Sequence, residues 1–181
     1  MKILELLKNQ NGITVYHGSE TQITNFVTDF VGGEDATDQE GPGIYFTTSI
    51  KNAYRYGQYL HTAILKPRKL LTKSAKGGTY AELLKLAKMA PDWKETAQNW
   101  DINPIKGIDI FVKNAIDYND NQKDRFLQVW VDFYRNHPIQ YVENCVKMGY
   151  DGIVVDTNSL FEDEPIKHYI IYNPAIIEKV G

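Results

Sequence analysis

A single cysteine, Cys145, stands in the whole chain. One thiol excludes an internal disulfide and a four-cysteine zinc site. It lies in Tyr141-Val142-Glu143-Asn144-Cys145-Val146, where positions 141, 142, 145 and 146 fall on one helical face, so a buried, inert thiol is expected. Long apolar runs are also missing, which excludes a membrane-spanning helix. The opening Met1-Lys2-Ile3-Leu4-Glu5-Leu6-Leu7-Lys8 is too charged and too short for a signal peptide. A reducing, cytoplasmic setting and no membrane partner are expected. Nor is there an excess of base: 20 Lys and Arg face 23 Asp and Glu, for a net charge of −3. That balance argues against the basic face of a dedicated nucleic-acid binder. No metal is expected.

The charge that is present is unevenly placed. Asp29, Glu34, Asp35, Asp38 and Glu40 follow one another with no base between them. Lys66, Arg68, Lys69, Lys73 and Lys76 form the opposite run. A solvated loop and a solvated strand edge account for both.

A chain of 181 residues holds one domain with a sizeable core. Residues 2–9 read as a short helix stopped by Asn11-Gly12. Ile13 to His17 is β-branched and aromatic and reads as a strand. Residues 27–42 read as a polar loop, of a length that is often functional. Gly43 to Thr47 is a second strand, and Ser49 can cap a helix running to about Tyr59. His61 to Leu71 reads as a strand at an edge or bulge, because Pro67 lies in or beside it.

Residues 79–147 read as a helical block. Tyr80, Leu83, Leu84 and Ala87 share one face; Phe126, Leu127, Trp130, Val131 and Tyr134 share another. Asp151 to Asp156 and Tyr169 to Tyr172 are the closing strands. Strands at both ends with helices between them make an α+β plan, in a single domain spanning 1–181.

Two short segments carry chemistry: Tyr16-His17-Gly18-Ser19, and Gly41-Pro42-Gly43-Ile44-Tyr45-Phe46 followed by Ala53-Tyr54-Arg55-Tyr56-Gly57. A glycine lets backbone approach a flat ligand closely, since no Cβ intervenes. Tyrosine rings stack on flat rings, contributing roughly 0.5–1.5 kcal/mol per aromatic pair beyond burial. A histidine beside the glycine offers a ring nitrogen to a hydroxyl.

In this order and spacing the segments resemble the nicotinamide pocket of the ADP-ribosyltransferases, in the branch of the poly(ADP-ribose) polymerases and diphtheria toxin. That branch carries His-Gly-Ser, then Gly-x-Gly-Ile-Tyr-Phe, then a tyrosine eleven residues beyond the strand tyrosine, as Tyr56 lies beyond Tyr45. Gly149-Tyr150-Asp151-Gly152-Ile153-Val154 and Tyr169-Ile170-Ile171-Tyr172-Asn173-Pro174-Ala175-Ile176-Ile177 are similar to the ending of small ADP-ribosyltransferase domains of phage and mobile-element polyproteins. The resemblance implies a split β-sheet core, with residues 79–147 as a helical insertion that it does not cover.

It also implies NAD as substrate. His17 would contact the adenosine-side ribose, Gly18 and Ser19 the carboxamide, and Tyr45 and Tyr56 would sandwich the ring, with Tyr54 as the alternative to Tyr56. His17, Gly18, Tyr45 and Tyr56 would then converge on one cleft.

The family's glutamate normally precedes the Tyr-Ile-Val-Tyr-like strand, and here that position is His168. A histidine offers no permanent negative charge to an oxocarbenium, but when neutral it accepts a hydrogen bond and serves as a general base. Glu162, Asp163 and Glu164 precede it, and Glu164 is the best placed to substitute. The resemblance therefore implies a mono-ADP-ribosyltransferase that releases nicotinamide and modifies a macromolecule, a protein before a nucleic acid. Its rivals are a catalytically impaired NAD or ADP-ribose-binding module that grips a partner, and an NAD glycohydrolase toxin.

Overall fold

The computed structural model describes residues 12–28, 41–72, 78–117, 125–157 and 165–180. The expected helix over 2–9, the acidic run Asp29–Glu40, the bases Lys73 and Lys76, and the acids Glu162, Asp163 and Glu164 lie outside the described residues.

Strand β1 covers Ile13–Ser19, β2 Ile44–Thr47, β3 Tyr59–Leu65, β4 Leu70–Thr72, β5 Gly152–Thr157, β6 Ile166–Ile171 and β7 Ile177–Lys179. They form one sheet in the order β4-β5-β6-β2-β1-β3-β7. Among these pairs, β4–β5 is parallel and the rest are antiparallel. All of β1 pairs with β3, from Ile13↔Leu65 to Ser19↔Tyr59. Between β1 and β2 the ladder holds a single pair, Tyr16↔Thr47. The sheet is split there.

The expected strand from His61 to Leu71 is instead two strands that lie far apart in the sheet order. Lys66-Pro67-Arg68-Lys69 divides them, and Pro67 has no N–H to continue a ladder. Five strand spacings in a flat sheet would separate β3 from β4 by about 24 Å. The chain from Leu65 to Leu70 reaches about 18 Å at most. The sheet therefore has to curl, bringing its two edges toward each other.

Asp151 fastens the crossing. It is fully buried, and its carboxylate accepts from the backbone N–H of Arg68 at 2.8 Å, that of Lys69 at 3.3 Å, Asn173 Nδ2 at 2.9 Å and Arg68 Nη2 at 3.0 Å. Burial alone would raise its pKa; these donors outweigh that and hold the carboxyl down at about 2.

Helix α1 spans Ile50–Ala53 and is capped as expected, Ser49 Oγ accepting from Asn52 N at 3.1 Å. It is shorter than the sequence suggests. A 3-10 turn, Tyr54–Tyr56, follows at once, and Gly57 then leads into β3. A Cβ on Gly57 would lie 2.0 Å from the Ser19 carbonyl carbon. The chain is thus pressed against the end of β1 and cannot continue as a helix.

The expected helical block is present. Helices α2 (Tyr80–Lys88), α3 (Trp93–Ala97), α4 (Pro104–Asp117), α5 (Arg125–Val129) and α6 (Pro138–Lys147) lie between β4 and β5. Thr79 and Glu82 form a capping box on α2. A π-helical turn, Trp130–Tyr134, extends α5. Its extra residue per turn rotates Val131 out of the expected stripe, leaving it exposed while Phe126, Trp130 and Tyr134 stay buried. Tyr80 also leaves its stripe and donates its hydroxyl hydrogen to Asp109.

The sheet has two covered faces. Leu83, Leu86, Phe111, Phe126, Phe133 and Tyr141 pack on Ile153, Val155 and Ile170. On the other face Val15, Phe26, Phe46, Ala63, Leu65, Tyr169 and Ile171 form a second core. Cys145 is buried in the helical core, as its spacing implies.

Candidate functional site

Side chains alternate between the faces of a strand. Tyr45 packs on the helical core while its neighbour Phe46 belongs to the other. Thr47, two residues beyond Tyr45, shares its face, and so does His168, which sits opposite Thr47. In β1, Val15 belongs to the second core, so Tyr16 and Gly18 lie on the Tyr45 face. Gly18, Tyr45 and His168 therefore come to one side of the sheet.

Helix α1 roofs that side. A Cβ on Gly18 would stand 1.8 Å from the Ala53 carbonyl oxygen. Only glycine allows α1 to seat so closely on β1, and a side chain there would disturb the fold as well as any ligand. Seated this way, α1 presents Asn52, which is 6% exposed, with its Oδ1 3.2 Å from His168 Nε2. Asn52 was not among the sequence candidates. Its position seven residues after Tyr45 carries no signal that distinguishes it from an ordinary helix residue.

His17 and Ser19 go to the opposite face. The His17 ring meets Phe26 edge-on at 5.5 Å and lies 5.7 Å from Phe46. The rings of His17 and Tyr45 are thus on different sides, so the expected convergence of the His17 side chain with Gly18 and Tyr45 on one cleft is not found, because adjacent strand residues point to opposite faces. What joins the two residues is backbone: His17 Nδ1 donates to the Tyr45 carbonyl at 2.6 Å. This bond crosses the split where the ladder has stopped. It places the proton on Nδ1 and the lone pair on Nε2, which has no hydrogen-bond partner among the described residues. Desolvation lowers the His17 pKa, and the Tyr45 carbonyl opposes that only in part. The Tyr45 hydroxyl donates to the Gly41 carbonyl at 2.6 Å.

Ser19 Oγ donates to the Thr21 carbonyl at 2.5 Å and lies 3.0 Å from His61 Nε2. His61 is 3% exposed, 6.1 Å from the His17 ring, and its pKa is lowered by burial and then by Lys179. It too was missed by sequence reasoning. The available signal was parity: His61 shares its strand face with Ala63 and Leu65, so a polar side chain stands at an inward position.

Tyr54 and Tyr56 are 55% and 58% exposed on the turn after α1. Glu164 lies outside the described residues. A groove of about 460 Å³ lies elsewhere, at the curl of the sheet, lined by Lys66, Arg68, Asn173 and Glu178 among others. Its bases are already answered, Lys66 by Glu178 at 2.5 Å and Arg68 by Asp151. Among the described residues no group of three or more His, Cys, Asp or Glu could hold a metal ion, and no helix is long and apolar enough to cross a membrane.

Comparison with curated proteins returns no match. Among solved structures, the crystal structure of an anti-CRISPR protein aligns over 94% of this chain and 97% of its own, at 16% identity and a TM-score of 0.38. A likeness that loose carries no argument. The match to a family is extensive: residues 9–180 fit the family described as ADP-ribosyltransferase in polyvalent proteins. With its α+β plan and split sheet, the chain belongs to that ADP-ribosyltransferase family.

Proposed function

We propose that this chain transfers single ADP-ribose units from NAD to a macromolecular acceptor, releasing nicotinamide. Membership of the family supports the reaction class and NAD as substrate. The observation that carries the reading is the shared face of Gly18, Tyr45 and His168, three positions that the sequence pattern singles out and the split sheet brings together.

On this reading nicotinamide lies beside the Tyr45 ring, and the exposed Tyr56 closes over its other side. Past Tyr16↔Thr47 the β2-facing edge of β1 is no longer paired with β2, which leaves backbone near Gly18 for the carboxamide. NAD is long enough to cross the split, so its adenosine half reaches His17 Nε2 on the far side. The Ser19 hydroxyl is already engaged with Thr21 and His61, which weighs against a carboxamide contact.

Cleavage breaks the bond from the ribosyl carbon to nicotinamide and forms one to the acceptor nucleophile, whose proton a neutral His168 can accept. His168 lacks the fixed charge of a glutamate beside the developing cation. That favours a single transfer over polymer elongation. It also favours one second reading, a binding module that keeps the pocket and titrates NAD without cleaving it.

The test is nicotinamide release at matched NAD occupancy, followed by mass spectrometry of species labelled by isotopic NAD in a cell lysate. His168→Glu is expected to raise release, by up to about the 10²–10³ in rate that removing one electrostatic donor typically costs. His168→Ala is expected to lower it. Saturable NAD binding with no release by any of the three proteins would establish the binding module instead.

A further inference from the structure

We propose that Asn52 is a positioning residue for His168 and the donor of a hydrogen bond to a ribose hydroxyl of NAD; this rests on the reading that NAD occupies the Tyr45 face. The starting point is an unanswered polar group. Asn52 is 6% exposed, and its Oδ1 takes the His168 Nε2 hydrogen at 3.2 Å. Its Nδ2 has no partner among the described residues. A buried amide donor left unpaired is costly, and native structures rarely keep one without use. Here it stands beside the histidine that occupies the glutamate position, on the side of the sheet that carries Tyr45 and Thr47.

The two ends of the amide act differently. Oδ1, by accepting from Nε2–H, selects the tautomer whose lone pair is on Nδ1. The ring is thereby oriented as a hydrogen-bond acceptor at that nitrogen. Nδ2 supplies the donor that a ribose hydroxyl oxygen can take up. A glutamate does its work with one charged group. In this chain an amide and an imidazole divide that work, one donating and one accepting. The backbone makes the division possible: α1 can bring Asn52 to His168 because Gly18 leaves room for the Ala53 carbonyl.

Nitrogen-15 spectra of the histidine rings in the free protein test the hold on His168 without relying on activity. The wild type should show His168 with its proton on Nε2. Asn52→Asp keeps an acceptor oxygen and should keep that tautomer, while Asn52→Leu should give a mixture. A proton on Nδ1 in the wild type, or an unchanged tautomer in a folded Asn52→Leu, overturns the proposal. Kinetics test the donor. Loss of one neutral hydrogen bond corresponds to roughly five- to tenfold, so Asn52→Leu should raise KM for NAD by about that factor and lower kcat as well. Unchanged KM and kcat in a folded Asn52→Leu overturn the donor. A wild-type protein that fails to bind NAD overturns the functional reading and the donor with it, while the tautomer spectra still decide the hold on His168.

Discussion

Replacing Asp151 should separate the charge of the sheet's fastening from its hydrogen bonds. The folded carboxyl titrates at about 2, against an ordinary 3.8. A depressed pKa stabilises the fold fully above the ordinary value, and that stability is lost as pH falls from 3.8 toward 2. The shift corresponds to about 2 kcal/mol at neutral pH. Asp151→Asn keeps the shape but turns an amide toward donors, so it should cost at least about 2 kcal/mol at pH 7. Asp151→Ala leaves the N–H groups of Arg68 and Lys69 and the Asn173 amide without their acceptor. At about 1–3 kcal/mol for each unsatisfied buried donor, partly relieved by water, the expected loss is about 4 kcal/mol. That is a large part of the 5–15 kcal/mol, roughly, that holds a typical domain folded. Arg68→Ala is the intermediate case: its guanidinium is the strongest of the contacts that lower the Asp151 pKa, but it is 74% exposed and the backbone N–H survives, so the midpoint should fall less than in Asp151→Ala. Urea unfolding at pH 7 and near pH 2 is the assay. The Asn variant's deficit should shrink as the wild-type carboxylate is protonated. A deficit that is equal at both pH values refutes the charge argument, and a cost under about 1 kcal/mol for Asp151→Ala refutes the fastening.

The other expectations concern the roof, the helical core and the far face. Gly18→Ala must push α1 off β1, so the melting temperature and nicotinamide release should both fall; an unchanged melting temperature would show that α1 is not seated there. Trp130 is 7% exposed and packs 5.6 Å from the Tyr141 ring, and its replacement by alanine should cost about 3–5 kcal/mol in chemical denaturation. His17 and His61 both titrate below their ordinary value of 6.5, so the unfolded chain takes up protons first and stability should decline as pH drops below that value. The decline, followed by melting temperature from pH 7.5 downward, should be shallower in His61→Gln; an identical slope would remove His61 from the account.

Much of this architecture was legible in the residues. β-branched and aromatic residues marked β1, and apolar spacing marked the helical block with Cys145 inside it. The resemblance carried by the sequence motifs also brought Gly18, Tyr45 and His168 forward. It did not reveal which side of a strand each would take. His17 and Gly18 are adjacent and therefore point apart, a consequence of the two-residue strand period that a motif read as a unit conceals. Asn52 stayed hidden because its contact with His168 comes from α1 resting on a glycine more than thirty positions earlier. The turn through Pro67 was visible as a break. Its result, two strands lying far apart in the sheet order, depends on the curl and on the buried Asp151, both of which are long-range.

The pairing around β3 has a consequence for how such a domain can be joined to others. Ile13 of β1 and Ile177 of β7 both stand opposite Leu65, one on each side of the same strand. The points where the described chain enters and leaves the sheet are therefore about two strand spacings apart, roughly 10 Å. A unit whose entry and exit lie side by side can be spliced into a surface loop of a larger polypeptide through short connectors, leaving the host's own fold undisturbed.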